Sequence, residues 1–161
     1  MILSLFRKMP APVLANAMPR DAADLAAIHG SGFERGWDAT EIERLLVQSQ
    51  TVGHLARPGA RRPATGFVLS RIVPPEAEIM TIAVLPKARG AGLAKSLLRH
   101  HLGRLAALGV RSVFLEVAED NRAALGLYEA FGFAEVGRRQ GYYARAGGTA
   151  ATAIVMRRDI G

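Results

Sequence analysis

The sequence predicts an α/β (α+β) fold, a mixed sheet of about seven strands with helices on both faces. Three observations carry this. Short apolar runs bounded by proline and glycine recur along the chain, as strands do. The stretch 90–108 repeats leucine at helical spacing and ends at Gly109. Apolar runs at 76–84 and 112–117 flank that helix, and a strand-helix-strand unit of this length makes its two strands parallel.

The elements follow in order. After a leader over residues 1–11, residues 13–18 read as a first strand. Pro19, Arg20 and Asp21 open a helix with Leu25 and Ile28 on its inner face and Phe33 as a further candidate. Residues 31–37 form a glycine-bearing loop, and Asp38 or Thr40 caps a second helix reaching Gln48, with Ile42, Leu45 and Leu46 inward. Strands at 51–56 and 64–73 are joined by a turn rich in proline, glycine and arginine. Pro74 and Pro75 break the chain before the 76–84 strand. Beyond the long helix and the 112–117 strand, Asp120 or Asn121 caps a helix through Phe131 that Gly132 stops. Residues 133–139 and 149–157 close the chain as strands around a glycine-rich connection. The 1–161 stretch shows no internal repeat or linker and reads as a single domain.

Bulk properties narrow the function. Half of the residues are hydrophobic and 22% are charged, a globular balance. With no cysteine, thiolate metal sites and cysteine nucleophiles are excluded. The net charge of +7 suits anionic partners, but the arginines are scattered and accompany no nucleic-acid motif, so no direct nucleic-acid contact is required. No run approaches the ~20 apolar residues that span a membrane, and the expected location is the cytoplasm. His29, His54, His100 and His101 lack metal-ligand spacing, which assigns them structural or surface roles and no metal.

The chemistry concentrates where the 76–84 strand meets the long helix. Gly90 and Gly92 let the backbone approach a ligand and take positive φ. The first-turn amides of the helix, from Ala91 and Leu93 through Ala94 and Lys95, form a positive pole suited to a pyrophosphate, with Arg89 and Lys95 beside it. The same glycines also fit a merely structural turn. The segment Arg89-Gly90-Ala91-Gly92-Leu93-Ala94 resembles the Arg/Gln-x-x-Gly-x-Gly/Ala loop of the GCN5-related N-acetyltransferase (GNAT) superfamily. Ile82-Ala83-Val84, Leu115-Glu116-Val117, Asn121, the stretch 124–133 and Arg139-Gln140-Gly141-Tyr142-Tyr143 extend this to the RimI-type N-terminal alanine acetyltransferases of a small-subunit ribosomal protein. The resemblance is strong over 78–156 and weak before about residue 65.

That resemblance implies acetyl-CoA as co-substrate and a protein N-terminus, of a ribosomal protein, as acceptor. It implies that the two parallel strands splay and that the backbone of Ile82, Ala83 and Val84 holds the pantetheine arm, with the Val84 amide donating to the oxyanion. Glu116 shares a strand face with Phe114, opposite Val113, Leu115 and Val117. By resemblance it is the general base, and Tyr128 is the acid for the leaving thiolate; without the resemblance they read as an edge glutamate and a core tyrosine. Asn121 caps its helix, contacts CoA, or does both. Trp37 lines the acceptor groove or fills an apolar pocket, and Tyr142 and Tyr143 flank the substrate backbone or end a strand. The stretch 149–153 lacks the acidic residue common there in close relatives, so another N-terminus, a lysine or a small amine remains an alternative acceptor. A non-catalytic acyl-CoA-binding or RNA-associated module is the reading from a different class.

Overall fold

The computed structural model describes residues 11–143 and 150–161. The elements are β1 (Val13–Asn16), α1 (Ala22–Gly30), α2 (Ala39–Leu46), β2 (Thr51–Arg57), β3 (Gly66–Val73), β4 (Glu76–Val84), α3 (Leu93–Ala107), β5 (Ser112–Ala118), α4 (Arg122–Ala130), β6 (Ala134–Tyr143) and β7 (Ala151–Asp159). Single turns of 3-10 helix precede α1 at Pro19–Asp21 and follow β4 at Pro86–Ala88. The strands form one seven-stranded sheet in the order β1-β2-β3-β4-β5-β7-β6. All neighbours are antiparallel except β4 and β5, which the intervening helix makes parallel. The fold class and element order match the sequence expectation. Residues 1–10 of the leader and 144–149 of the glycine-rich connection lie outside the described residues.

Each sheet face carries its own core. On one face α3 lays down Leu97, Leu98, Leu102 and Leu105, which pack with Val68, Ile79, Val113, Leu115 and the α4 residue Tyr128. Burying each of these leucines contributes about 2 kcal/mol. On the other face Leu25 and Ile28 of α1 and Ile42 of α2 meet Leu55, Phe67, Leu69 and Ala83. Asp38 caps α2 reciprocally with Glu41: each backbone amide donates to the other's carboxylate at 2.8 Å.

Several predicted boundaries move. Helix α3 begins at Leu93 rather than Gly90, because Gly90 (φ +83°) and Gly92 (φ +76°) stand in the left-handed region and cannot belong to a right-handed turn. Leu108, expected on the inner stripe, is the C-cap and half exposed. Helix α2 stops at Leu46, short of Gln48, and Phe33 lies past the end of α1 and is exposed. Strand β6 runs on to Tyr143, with irregular register around Gly141 at φ +66°.

A polar chain crosses the α3 side of the sheet. The Ser70 hydroxyl of β3 lies 2.6 Å from His101 Nε2, and His101 Nδ1 lies 2.7 Å from His54 Nδ1 of β2. His100 also touches His54, edge to face at 4.8 Å, so adjacent histidines on α3 flank one ring. All of Ser70, His54 and His101 are buried. Burial foremost, reinforced by the neighbouring His100 and Arg104, lowers His54 to about 4. Burial and the neighbouring histidines lower His101 to about 3. Both folded values lie below the ~6.5 of an unfolded histidine. Protonation is therefore penalised only in the folded state, so stability is complete above pH ~6.5 and is lost as pH falls toward 4. Urea denaturation should show a loss of about 2 kcal/mol or more between pH 7 and 4.5, with a shallower slope in an H54Q/H101Q double variant. An equal slope in the two proteins would show that these histidines do not set acid sensitivity.

Candidate active site

The geometry begins with a bulge in β4. Leu69 of β3 faces Thr81 and the next residue, Ser70, faces Ile79, so Met80 is left without a cross-strand partner. An extra residue bends its strand and reverses which face the following side chains take. Accordingly Ile79 packs with the α3-side core and Met80 with the α1-side core. Beyond the bulge the phase is reversed, with Ile82 on the α3 side and Ala83 on the α1 side. Thr81, beside the bulge, buries its hydroxyl with no hydrogen-bond partner among the described residues.

The parallel pairing ends at the same point. β4 and β5 are in register from Glu76↔Ser112 to Ile79↔Leu115 and no further, although β4 continues to Val84 and β5 to Ala118. Register then states which main-chain groups face the opening. The Leu85 amide donates to Thr65 O at 2.8 Å, so the next pair, Val84↔Gly66, is a non-bonded one. By alternation Ala83 turns its main chain to Phe67 of β3, while Ile82 and Val84 turn theirs to the gap. On the other side the Glu119 amide donates to Thr152 O at 2.9 Å, which turns Val117 to β7 and Glu116 and Ala118 to the gap. Of the three backbone positions implicated by resemblance, Ala83 is thus committed to the sheet.

The loop after β4 closes one end of this gap. A Cβ on Gly90 or Gly92 would meet nothing within 4 Å, so positive φ and not crowding calls for glycine there. Gly92 is the N-cap of α3 and offers no side-chain acceptor, and no acidic residue occupies the first turn. The amides of Leu93, Ala94 and Lys95 therefore stand uncapped at the positive end of the helix dipole. Lys95 is exposed on that turn. Arg89 Nε donates to Val84 O at 3.1 Å, tying the loop back to the strand end and not toward the helix turn. Asn121 accepts from the Ala124 amide at 3.2 Å, which gives its capping role a geometry.

Glu116 projects on the α1–α2 side of the sheet, as its alternation with buried Val113, Leu115 and Val117 predicts. It lines a cavity of about 610 Å³ together with Trp37, Glu41, Arg44, Arg71 and Glu78. Arg139 Nη2 of β6 stands 3.2 Å from Glu116 Oε1. The structure thus brings Glu116 and Trp37 to one cavity. Tyr128 is 6% exposed within the α3-side core, its ring edge to face with Phe133 at 5.8 Å, and is not a lining residue of that cavity. Tyr142 and Tyr143 close β6 with their backbone; the acceptor role expected of their side chains lies outside the described residues. The sequence reading missed Glu41, Arg44, Arg71 and Glu78, whose meeting depends on the register of β3 with β4 (Arg71↔Glu78) and on where α2 docks.

The sheet is thus open at its parallel pair, with an uncapped helix turn at one end of the opening and the Glu116 carboxylate beside it. The acetyltransferase (GNAT) family model matches residues 24–133. The N-alpha-acetyltransferase RimI of Mycobacterium tuberculosis is 47% identical over 159 residues, covering 93% of this chain and 94% of that protein. The ribosomal protein bS18-alanine N-acetyltransferase of Haemophilus influenzae is 41% identical over 91 residues, which span 56% of this chain and 62% of that protein. The crystal structure of the ribosomal-protein-S18-alanine N-acetyltransferase from Escherichia coli superposes with a TM-score of 0.85 at 26% identity, covering 93% of this chain and 94% of that one. The chain belongs to the acetyltransferase (GNAT) family. No helix among the described residues is long and apolar enough to cross a membrane.

The loop glycines carry a direct test. Gly92→Ala places a Cβ in open space but in a left-handed backbone, so it should cost about 1–2 kcal/mol in urea denaturation. Gly103→Ala, in the exposed interior of α3 with equally open space, should instead stabilise by about 1 kcal/mol. Equal effects at the two positions would contradict the conformational role given to Gly92.

Proposed function

We propose that this chain transfers the acetyl group of acetyl-CoA to the α-amine of an N-terminal alanine, that of ribosomal protein bS18. One observation carries the reading: the facing edges of β4 and β5 are unpaired beyond Ile79 and Leu115, and Glu116 stands beside that opening. The gap suits a peptide-like arm, which bonds to an exposed strand edge as an added strand would. Ile82 and Val84 are the residues with main-chain groups turned toward it, and the uncapped turn Leu93–Ala94–Lys95 suits a diphosphate. Acetyl-CoA supplies the activated acyl group; the protein supplies the remaining chemistry.

Glu116 accepts a proton from the attacking amine, directly or through water. An α-amine with pKa near ~8 is about one-quarter neutral at pH 7.5, against about 0.1% for a lysine near ~10.4. A carboxylate base is therefore better matched to an N-terminus than to a lysine. The Val84 amide donates to the carbonyl oxygen as negative charge develops there. Tyr128 gives a proton to the departing sulfur from the opposite face of the sheet. The names of the relatives support alanine of bS18 as the acceptor.

Glu116→Gln should lower turnover by about 10²- to 10³-fold while calorimetry shows unchanged acetyl-CoA affinity. Unaltered turnover would remove Glu116 from the mechanism. For the acceptor, mass spectrometry of bS18 from a strain lacking this chain should show an unacetylated N-terminus. A fully acetylated one would transfer the assignment to another N-terminus, a lysine or a small amine.

A further inference from the structure

We propose that His29 is a positioning residue that holds Trp37 as the acceptor wall of the active-site cavity. The inference rests on reading that cavity as the acceptor's side of the enzyme. His29 sits in the last turn of α1, is 3% exposed, and is a member of neither side-chain set assigned to the chemistry above.

Its ring is the middle layer of an aromatic sandwich. Phe33 stacks on one side with centroids 4.1 Å apart and planes 8° apart. Trp37 stacks at 4.5 Å and 9°. Phe67 of β3 closes the set, tilted at 6.3 Å. The Trp37 backbone amide donates to His29 Nδ1 at 3.0 Å. An amide can only donate, so Nδ1 holds a lone pair and the proton of the neutral ring is on Nε2. Protonation would set an N–H against that amide and break the contact. Burial lowers the His29 pKa and so keeps the accepting form; the Glu41 carboxylate of α2 opposes this weakly.

The loop between α1 and α2 has little other means of holding its shape. The chain between Gly30 and Ala39 contains no regular element, and its own backbone closes tightly: a Cβ on Gly36 would stand 2.7 Å from Gly30 Cα. That approach brings residue 37 back over the end of α1, and the His29 stack and hydrogen bond then fix the indole. Trp37 lines the same cavity as Glu116, so its placement sets the width of the space an acceptor occupies beside the base. The stack also accounts for the exposed Phe33, which covers the far face of His29.

The test is a double-variant cycle read in steady-state kinetics, with a hexapeptide copied from the bS18 N-terminus as acceptor. His29→Phe keeps an aromatic ring and removes the acceptor atom. It should raise the peptide KM about ten-fold, with kcat and the acetyl-CoA KM within about two-fold. Trp37→Ala should do the same, and the H29F/W37A double variant should be no worse than W37A, since His29 acts through Trp37. Trp37 is the sole tryptophan of the sequence, so its fluorescence reports this position alone, and H29F should shift its emission to the red. If H29F does not fold, His29→Asn carries the same cycle: it keeps an acceptor oxygen and loses the stack, and should give a smaller rise in the peptide KM. Additive losses in the double variant, or an acetyl-CoA KM rising in step with that of the peptide, would overturn the proposal. A W37A variant with unchanged peptide KM would instead overturn the reading of the cavity as the acceptor side, which separates the two failures.

Discussion

Two parallel strands at the centre of a sheet normally exchange hydrogen bonds along their whole shared length, because buried main-chain groups left unpaired cost about 1–3 kcal/mol each. Here β4 and β5 abandon each other after Ile79 and Leu115, where the Met80 bulge turns β4 away. Each strand keeps its outer neighbour: β4 remains paired with β3 as far as Val84, and β5 with β7 as far as Ala118. The sheet survives the split, and the split presents two rows of main-chain groups that the two strands do not satisfy for each other, with the Val84 carbonyl taken by Arg89. That constraint organises the molecule around a cleft built from backbone, whose existence depends on register more than on any one side chain.

The surrounding elements take their roles from this opening. The α3 side supplies packing, through leucines on α3 and the ring of Tyr128, and holds the sheet firm where it is cut. The α1–α2 side supplies the cavity in which Glu116, Trp37 and a set of mixed charges meet. The glycine loop joins the end of β4 to the start of α3, and Arg89 bonds to the Val84 carbonyl across it. The loop that leads into the uncapped turn of α3 is thereby tied to the end of the strand whose residues face the gap. A basic surface, at +7 overall, adds a long-range attraction for a polyanionic co-substrate without specifying it.

Much of this was legible in the sequence, for identifiable reasons. The leucine repeat and its terminal glycine marked α3, and the flanking apolar runs made β4 and β5 parallel. Strict alternation in Val113, Leu115 and Val117 placed Glu116 on the opposite face, where the structure has it. The glycines mark the loop, but a positive φ has no signature beyond glycine itself, so periodicity alone starts the helix three residues early. The bulge was invisible, since Ile79, Met80, Thr81 and Ile82 contain nothing that marks an extra residue. Without it the exclusion of Ala83 from the gap could not be foreseen. The Ser70–His101–His54 chain joins residues 31 and 47 positions apart, a separation at which local pattern carries no information. The mutual contacts of the histidines belong to tertiary structure, since they join side chains of β2, β3 and α3.

The central claim is that the gap between β4 and β5 is the seat of the acetyl-CoA arm, engaged through alternate residues of β4. Amide hydrogen exchange, followed residue by residue with and without saturating acetyl-CoA, addresses it most directly. Exchange at Ile82 and Val84 should slow by at least about ten-fold on binding, while Ala83, already bonded to β3, changes little. Equal rates at Ile82 and Val84 in the two states, with acetyl-CoA bound, would contradict the account.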